Sequence, residues 1–167
     1  MDSDQLKTLQ RPLKQSYRED AGAALVTLEA SGEIDDQNVT CSVATGRAIV
    51  EAGLHPASGG DGSFACSGDM LLQALVACAG VTLQSVATNR GIALEGGSVR
   101  AEGDLDFRGT MGVDPDAPVG FRDIRLSFDI EGNLPDDEKA ALIETTERYC
   151  VVLQTLLTPP AIAVATS

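Results

Sequence analysis

The stretch Ser67 to Gly91, SGDMLLQALVACAGVTLQSVATNRG, restricts the possible folds of this chain more than any other. From Met70 to Leu83 it is apolar on nearly every face, interrupted only by Gln73, Gly80 and Thr82. A helix of that composition has no face suited to water, so protein must cover it on most sides. Ser67 suits an N-cap, and Asp69 sets a carboxylate at the positive end of the macrodipole. Asn89-Arg90-Gly91 supplies a stop with glycine at the C′ position. The apolar run is shorter than the roughly 20 residues that cross a bilayer, and its flanks are not those of a signal peptide. The expectation is a core helix and not a membrane span, with Cys78 at its middle.

A chain of 167 residues can bury a core without disulfides or metals. Its 12 Lys and Arg against 25 Asp and Glu give a net charge of −13, which argues against nucleic acid and against anionic membrane surfaces as partners. The acidic residues are scattered, as on a solvated surface. The start, MDSDQLKTLQRPLKQ, lacks the basic-then-apolar layout of a secretory signal, so the expected compartment is the cytoplasm. There Cys41, Cys66, Cys78 and Cys150 are expected as thiols, and a functional disulfide would be transient. With no CxxC and a single histidine, His55, no metal or cofactor is expected.

In chain order, residues 1–20 are expected to hold an amphipathic helix, with Leu6, Leu9, Leu13 and Tyr17 on one stripe and Pro12 as a kink. Residues 21–167 are read as a single domain. Ala24 to Ala30 and Val39 to Thr45 alternate as strands around a turn-rich SGEIDDQN, which predicts antiparallel pairing and sets Cys41 on one face with Val39 and Val43. A third strand is expected over Ala48 to Leu54, then the loop HPASGGDGSFAC with His55 as an ordinary loop residue. Val99 to Phe107 and Ile124 to Ile130 alternate apolar and charged residues, as half-buried antiparallel partners do. Pro135 at an N1-like position, followed by Asp136, Asp137 and Glu138, opens a second long helix. Its stripe of Leu142, Thr146, Tyr149, Leu153 and Leu156 is expected to face inward. Pro159-Pro160 ends it before a short strand, Ala161 to Thr166.

The segment SGDMLLQALVACAGVTLQSVATNRGIALEGGSVRAEGDLDFRG, then VGFRDIRLSFDIEG, then ERYCVVLQTL, resembles the OsmC/Ohr family of cysteine-based hydroperoxide reductases in order and spacing. HPASGGDGS resembles the family's glycine-rich approach to its central helix, and the likeness extends over roughly residues 24–165. It implies an α+β fold in which an antiparallel sheet wraps two long core helices, in an intertwined homodimer. It also implies a peroxidase acting on organic hydroperoxides, with Cys78 as the peroxidatic and Cys150 as the resolving cysteine, and an external dithiol as reductant. Asp69 matches the acid that orients an activating arginine in the best-studied branch, though it is shorter and one position later. Arg47, Arg90 and Arg148 are the candidates for that arginine. Val151 stands where the family commonly has proline, which would let the helix run on through Cys150. Cys66 is a rival resolving thiol. Two alternatives stay open: a non-enzymatic binding protein for an apolar small molecule, and a thiol redox sensor.

Overall fold

A computed structural model describes residues 3–34, 41–43, 52–63 and 65–165. The chain opens with α1 (Ser3–Glu19), which carries Pro12 inside it, and a 3-10 turn at Ala21–Ala24. Strands β1 (Leu25–Ile34), β2 (Cys41–Val43), β3 (Ala52–Gly53) and β4 (Ala65–Cys66) precede the long helix α2 (Ser67–Asn89). Then come β5 (Gly97–Asp106), the short α3 (Phe107–Thr110), β6 (Phe121–Ile130), α4 (Asp136–Tyr149) and α5 (Val151–Leu157). One sheet has the order β2-β1-β5-β6, with β1 and β2 antiparallel; β3 and β4 form a separate parallel pair.

Five expectations change. β1 runs through Ser31–Ile34, where a turn was expected, and Ile34 pairs with Cys41. Phe107 leaves the strand to start α3. Pro135 is the N-cap of α4 and not its first helical residue. The second long helix is broken at Cys150, and Tyr149 is 59% exposed where an inward position was expected. Residues 161–165 form no strand, and Ile162 and Val164 project into solvent. Val39, Arg47 and residues 48–51 of the third strand lie outside the described residues.

Two compact units share the continuous strands and α2. The first takes the described residues within Met1–Ala30, Ala44–Gln73 and Arg100–Ser127. Its core gathers Tyr17, Ala24, Phe107 and Met111, with Leu13, Val26, Ala57, Leu105 and Val113 against them. The Tyr17 hydroxyl donates to the Ala57 carbonyl, tying α1 to the loop before α2. Asp106 is 1% exposed; its carboxylate caps α3 by accepting from the Arg108 N–H and receives the Arg108 guanidinium at 2.6 Å. Gly103 lies where β5 passes Phe121 and Leu72 so closely that a Cβ would stand 2.5 Å from the Phe121 ring and 3.3 Å from Leu72 Cδ2.

The second unit takes the described residues within Ser31–Val43, Ala74–Val99 and Phe128–Ser167. Leu75, Val76, Ala79, Leu83 and Ala87 of α2 are fully buried, as are Val99, Leu142 and Thr146. Each large aliphatic among them contributes roughly 1.5–3 kcal/mol by leaving water. α2 ends as its sequence requires: Gly91 takes φ 70°, its N–H donates to Thr88 O, and the Ile92 N–H donates to Ala87 O. These two bonds, with glycine in the left-handed region, form a Schellman stop. One stripe of α2 nevertheless stays uncovered: Leu71 is 36% and Val81 39% exposed, with Ala74 exposed between them. By length and composition alone α2 could also cross a membrane, since an 18-residue window reaches a mean hydropathy of 1.7; 44% of that window is buried inside the protein.

Gly103→Val should therefore lower the thermal midpoint, with a loss of at least about 1–3 kcal/mol from overpacking against Phe121, measured by denaturant unfolding. Asp106 generates a pH signature. Hydrogen bonding to Arg108 holds its carboxyl below the usual range. Its contribution is present above the ordinary carboxylate pKa and is lost as pH falls through the depressed value. The difference in stability between wild type and Asp106→Asn should be largest near neutrality and shrink in acid; a constant difference down to strongly acidic pH would contradict this.

Candidate functional site

The site is built by a break in the backbone. Cys150, fully buried, takes φ −70° and ψ 105°, so it caps the end of α4 and the start of α5 at once. Its N–H donates to Thr146 O at 2.8 Å, the last bond of α4, and its carbonyl accepts from the Gln154 N–H at 2.9 Å, the first of α5. Because α5 starts afresh, the N–H groups of Val151, Val152 and Leu153 have no helical acceptor. The Val151 and Val152 N–H groups come within hydrogen-bonding reach of the Cys78 sulfur. The Cys150 thiol and the Thr82 hydroxyl, one turn along α2, also reach it. Val151 in place of proline does not keep the helix continuous: the backbone turns out of helix at Cys150 without it.

These contacts divide the two thiols. Burial by itself would push the Cys78 thiol up, but the Val152 N–H, the Cys150 thiol, the Thr82 hydroxyl and the Val151 N–H all favour the thiolate. The balance holds Cys78 below the ordinary thiol range. Cys150 goes the other way. Burial raises it, the neighbouring Cys78 adds to the rise, and the Leu153 and Val152 N–H groups only partly offset them, leaving it at about 11. The two titrate as a unit, and the first proton to leave belongs mainly to Cys78. Near neutrality Cys150 is a protonated thiol.

Beside Thr82 opens a groove of about 490 Å³ lined by Val81, Thr82, Ser85, Val86, Asn89, Arg90, Thr145 and Tyr149. Val81, Val86 and Tyr149 give it an apolar side. Arg90 Nη2 donates to Thr145 Oγ1 at 2.6 Å, and the Arg148 guanidinium lies 5.4 Å from the Tyr149 ring centroid. Neither arginine is among the groups that act on Cys78. Asp69 belongs to the first unit, where burial pushes its carboxyl up and nearby His55 pulls it down. His55 is more than the ordinary loop residue expected. Its Nδ1 accepts from the Ala57 N–H at 3.0 Å, capping the 3-10 turn at Pro56–Ser58, and its ring stacks on Phe107 with centroids 5.0 Å apart. Cys66 is a half-buried free thiol in that same unit. Among the described residues no three His, Cys, Asp or Glu side chains cluster to hold a metal ion.

Sequence reasoning missed Thr82. The i to i+4 spacing from Cys78 was the available signal, since residues so spaced on a helix are neighbours. The family resemblance implies an arginine beside Asp69; Arg47, one candidate, lies outside the described residues, and among the described groups His55 acts on the Asp69 carboxyl.

An α+β chain with a thiol at the centre of an apolar helix and a second thiol where two later helices meet defines a class by fold and by site. The OsmC-like protein family matches residues 60–165, more than half of the chain, and the chain belongs to that family. The crystal structure of an OsmC-like hydroperoxide resistance protein from Jannaschia sp. CCS1 has the same fold. It is 16% identical, with a TM-score of 0.57 over 83% of this chain and 91% of that one. No curated protein matches.

Alkylation of Cys78 by iodoacetamide should have its pH midpoint below that of an ordinary thiol. Cys150→Ala removes a donor from the thiolate and should move the midpoint upward. An unchanged midpoint in Cys150→Ala, with Cys78 as the mapped site, would mean that the second thiol does not act on the first.

Proposed function

We propose that this chain is a thiol peroxidase that reduces organic hydroperoxides through Cys78 and Cys150, as a cytoplasmic homodimer recycled by an external dithiol. The observation that carries this reading is the pairing of a thiol shifted toward thiolate with a second, protonated thiol in hydrogen-bonding reach. In the first step the Cys78 thiolate attacks the terminal peroxide oxygen. The O–O bond breaks, an alkoxide leaves and is protonated to the alcohol, and Cys78 becomes a sulfenic acid. In the second step the Cys150 sulfur displaces that hydroxyl, forming a disulfide and water. The order of events follows from the electrostatics. While Cys78 is an anion it keeps Cys150 protonated; once Cys78 is a neutral sulfenic acid that restraint is gone, and Cys150 gives up its proton more readily. The dithiol then reduces the disulfide by two exchanges and leaves oxidised.

The apolar side of the groove favours substrates with an alkyl part over hydrogen peroxide, which has none to bury. The uncovered stripe of Leu71, Ala74 and Val81 supports the homodimer, since a second copy would remove it from water. Asp69 is assigned a positioning role at the start of α2, as the family resemblance implies.

Reduced protein should consume one equivalent of cumene hydroperoxide and yield a Cys78 to Cys150 disulfide by peptide mapping. Cys78→Ser should be inert, and Cys150→Ser should stop at Cys78 sulfenic acid or its over-oxidised forms. Asp69→Asn should slow the reaction without changing which cysteines pair. If wild type, Cys78→Ser and Cys150→Ser are equally inert while their thiols stay reduced, the enzyme reading is wrong and the groove belongs to a binding protein.

A further inference from the structure

Every residue from 157 to 165 is exposed. Thr158 leaves α5 at φ −133° and ψ 79°, and Pro159-Pro160 holds the next step of the backbone out of helical geometry. Residues 161–165 are neither helix nor strand, and among the described residues no hydrogen bond reaches them. In extended form Ile162 and Val164 share one side, with Ala161, Ala163 and Ala165 on the other. Ile162 is 82% and Val164 91% exposed. From Val151 to Ser167 the sequence has no Asp, Glu, Lys or Arg, in a chain whose net charge is −13. Branched apolar side chains with nothing to pack on, along a backbone with nothing to pair with, mark a contact surface.

The same unit holds an open groove that suits such a segment. Between α2 and α4, Val81, Val86 and Tyr149 give it an apolar side, with Val81 39% and Tyr149 59% exposed. Its one charged residue, Arg90, already donates to Thr145. Asn89 Nδ2 donates to Ser85 O at 3.0 Å, which leaves the Asn89 Oδ1 without a donor among the described residues and open to a backbone N–H. We propose that residues 159–165 of one copy lie along this groove of a second copy, with Ile162 and Val164 against Val81, Val86 and Tyr149, and that the exchange is mutual. This rests on the homodimer reading above and gives the groove a wall that one copy lacks. Each copy carries one free segment and one open groove, so a single two-fold axis satisfies all four surfaces. Two chains this acidic repel wherever their carboxylates meet. Here an uncharged segment meets a groove whose only charge is positive. Val81 also belongs to the uncovered stripe of α2, so the contact continues the surface that the homodimer would bury. The alkyl part of a hydroperoxide in the groove would then touch both copies.

The test measures the dimer dissociation constant of the full, reduced chain by sedimentation equilibrium. Ile162→Asp with Val164→Asp should raise it by roughly 100-fold or more, because each dimer loses the contact twice. Ile162→Leu with Val164→Leu keeps the apolar side and should stay within about fivefold of wild type. Both positions are exposed within one copy, so the circular dichroism of each variant should match that of wild type. Position is read by placing the photo-crosslinker p-benzoylphenylalanine at residue 162 of one copy, co-expressed with a differently tagged copy that lacks it. Illumination should join residue 162 to residues 81–90 or 145–149 of the other copy. A dissociation constant unchanged by the Asp pair, or a link to the same chain or to another surface, would overturn the exchange and leave the homodimer standing. A wild type that stays monomeric would overturn both. Consumption of cumene hydroperoxide by the same wild-type sample decides the peroxidase reading separately.

Discussion

The thiol pair depends on the backbone leaving helical geometry at Cys150. Had α4 continued through this residue, the Val151 and Val152 N–H groups would be occupied by carbonyls four residues back and unavailable to sulfur. With ψ at 105° the ladder is interrupted for one residue, and the first turn of α5 presents unsatisfied donors. Complete burial of Cys150 makes the break expensive to undo, because the thiol would have to be moved out of the space it occupies. The break and the burial thus fix each other, and the polarity of the site follows from both.

That polarity must work against the apolar helix that carries Cys78. Removing a thiolate from water is the largest influence on Cys78, and it opposes ionisation. The family resemblance implies a cation that outweighs it; of the candidates, Arg90 is engaged with Thr145, Arg148 lies over Tyr149, and Arg47 lies outside the described residues. Uncharged donors take that part among the described residues: two backbone N–H groups, a thiol and a hydroxyl. Each is weaker than a guanidinium, yet each is short-ranged and fixed in the same apolar surroundings that make ionisation costly, where hydrogen bonds to an anion gain most. The same surroundings leave Cys150, which has fewer net donors and an anion beside it, at about 11.

Much of this arrangement was legible in the sequence wherever local chemistry decides it. The end of α2 follows from Gly91, whereas Ser67, expected as its N-cap, is its first helical residue; the alternation of β5 and β6 follows from apolar residues set between Arg100, Glu102, Asp104, Arg125 and Asp129. Cys78 could be picked out because it is the one thiol in its helix. The break at Cys150 was hidden, since neither glycine nor proline marks YCVV and the valines suit a helix only slightly less well than leucine. Tyr149 was placed inward by a periodicity that assumed one unbroken helix, and the break resets the phase. The approach of His55 to Asp69 was equally hidden. His55 precedes it by a stretch of loop, and the stacking of His55 on Phe107 depends on a contact 52 positions away that no local pattern encodes.

The uncovered stripe on α2 bears on the chemistry as well as on assembly. Val81 is exposed on that stripe and also lines the groove that begins at Thr82. In the proposed homodimer, covering the stripe would therefore also narrow the groove and exclude water from it. A lower local dielectric raises the cost of the Cys78 thiolate and strengthens every donor aimed at it, so the pKa need not move far while the contacts themselves become stiffer. In the proposed peroxidase cycle, exclusion of water would matter most after the first step. There the sulfenic acid would wait for Cys150, and a second hydroperoxide arriving first would carry it to the irreversible sulfinic state. A neighbouring thiol in hydrogen-bonding reach, already at the site when the sulfenic acid forms, makes condensation intramolecular and gives it the advantage that closeness confers over any bimolecular oxidation.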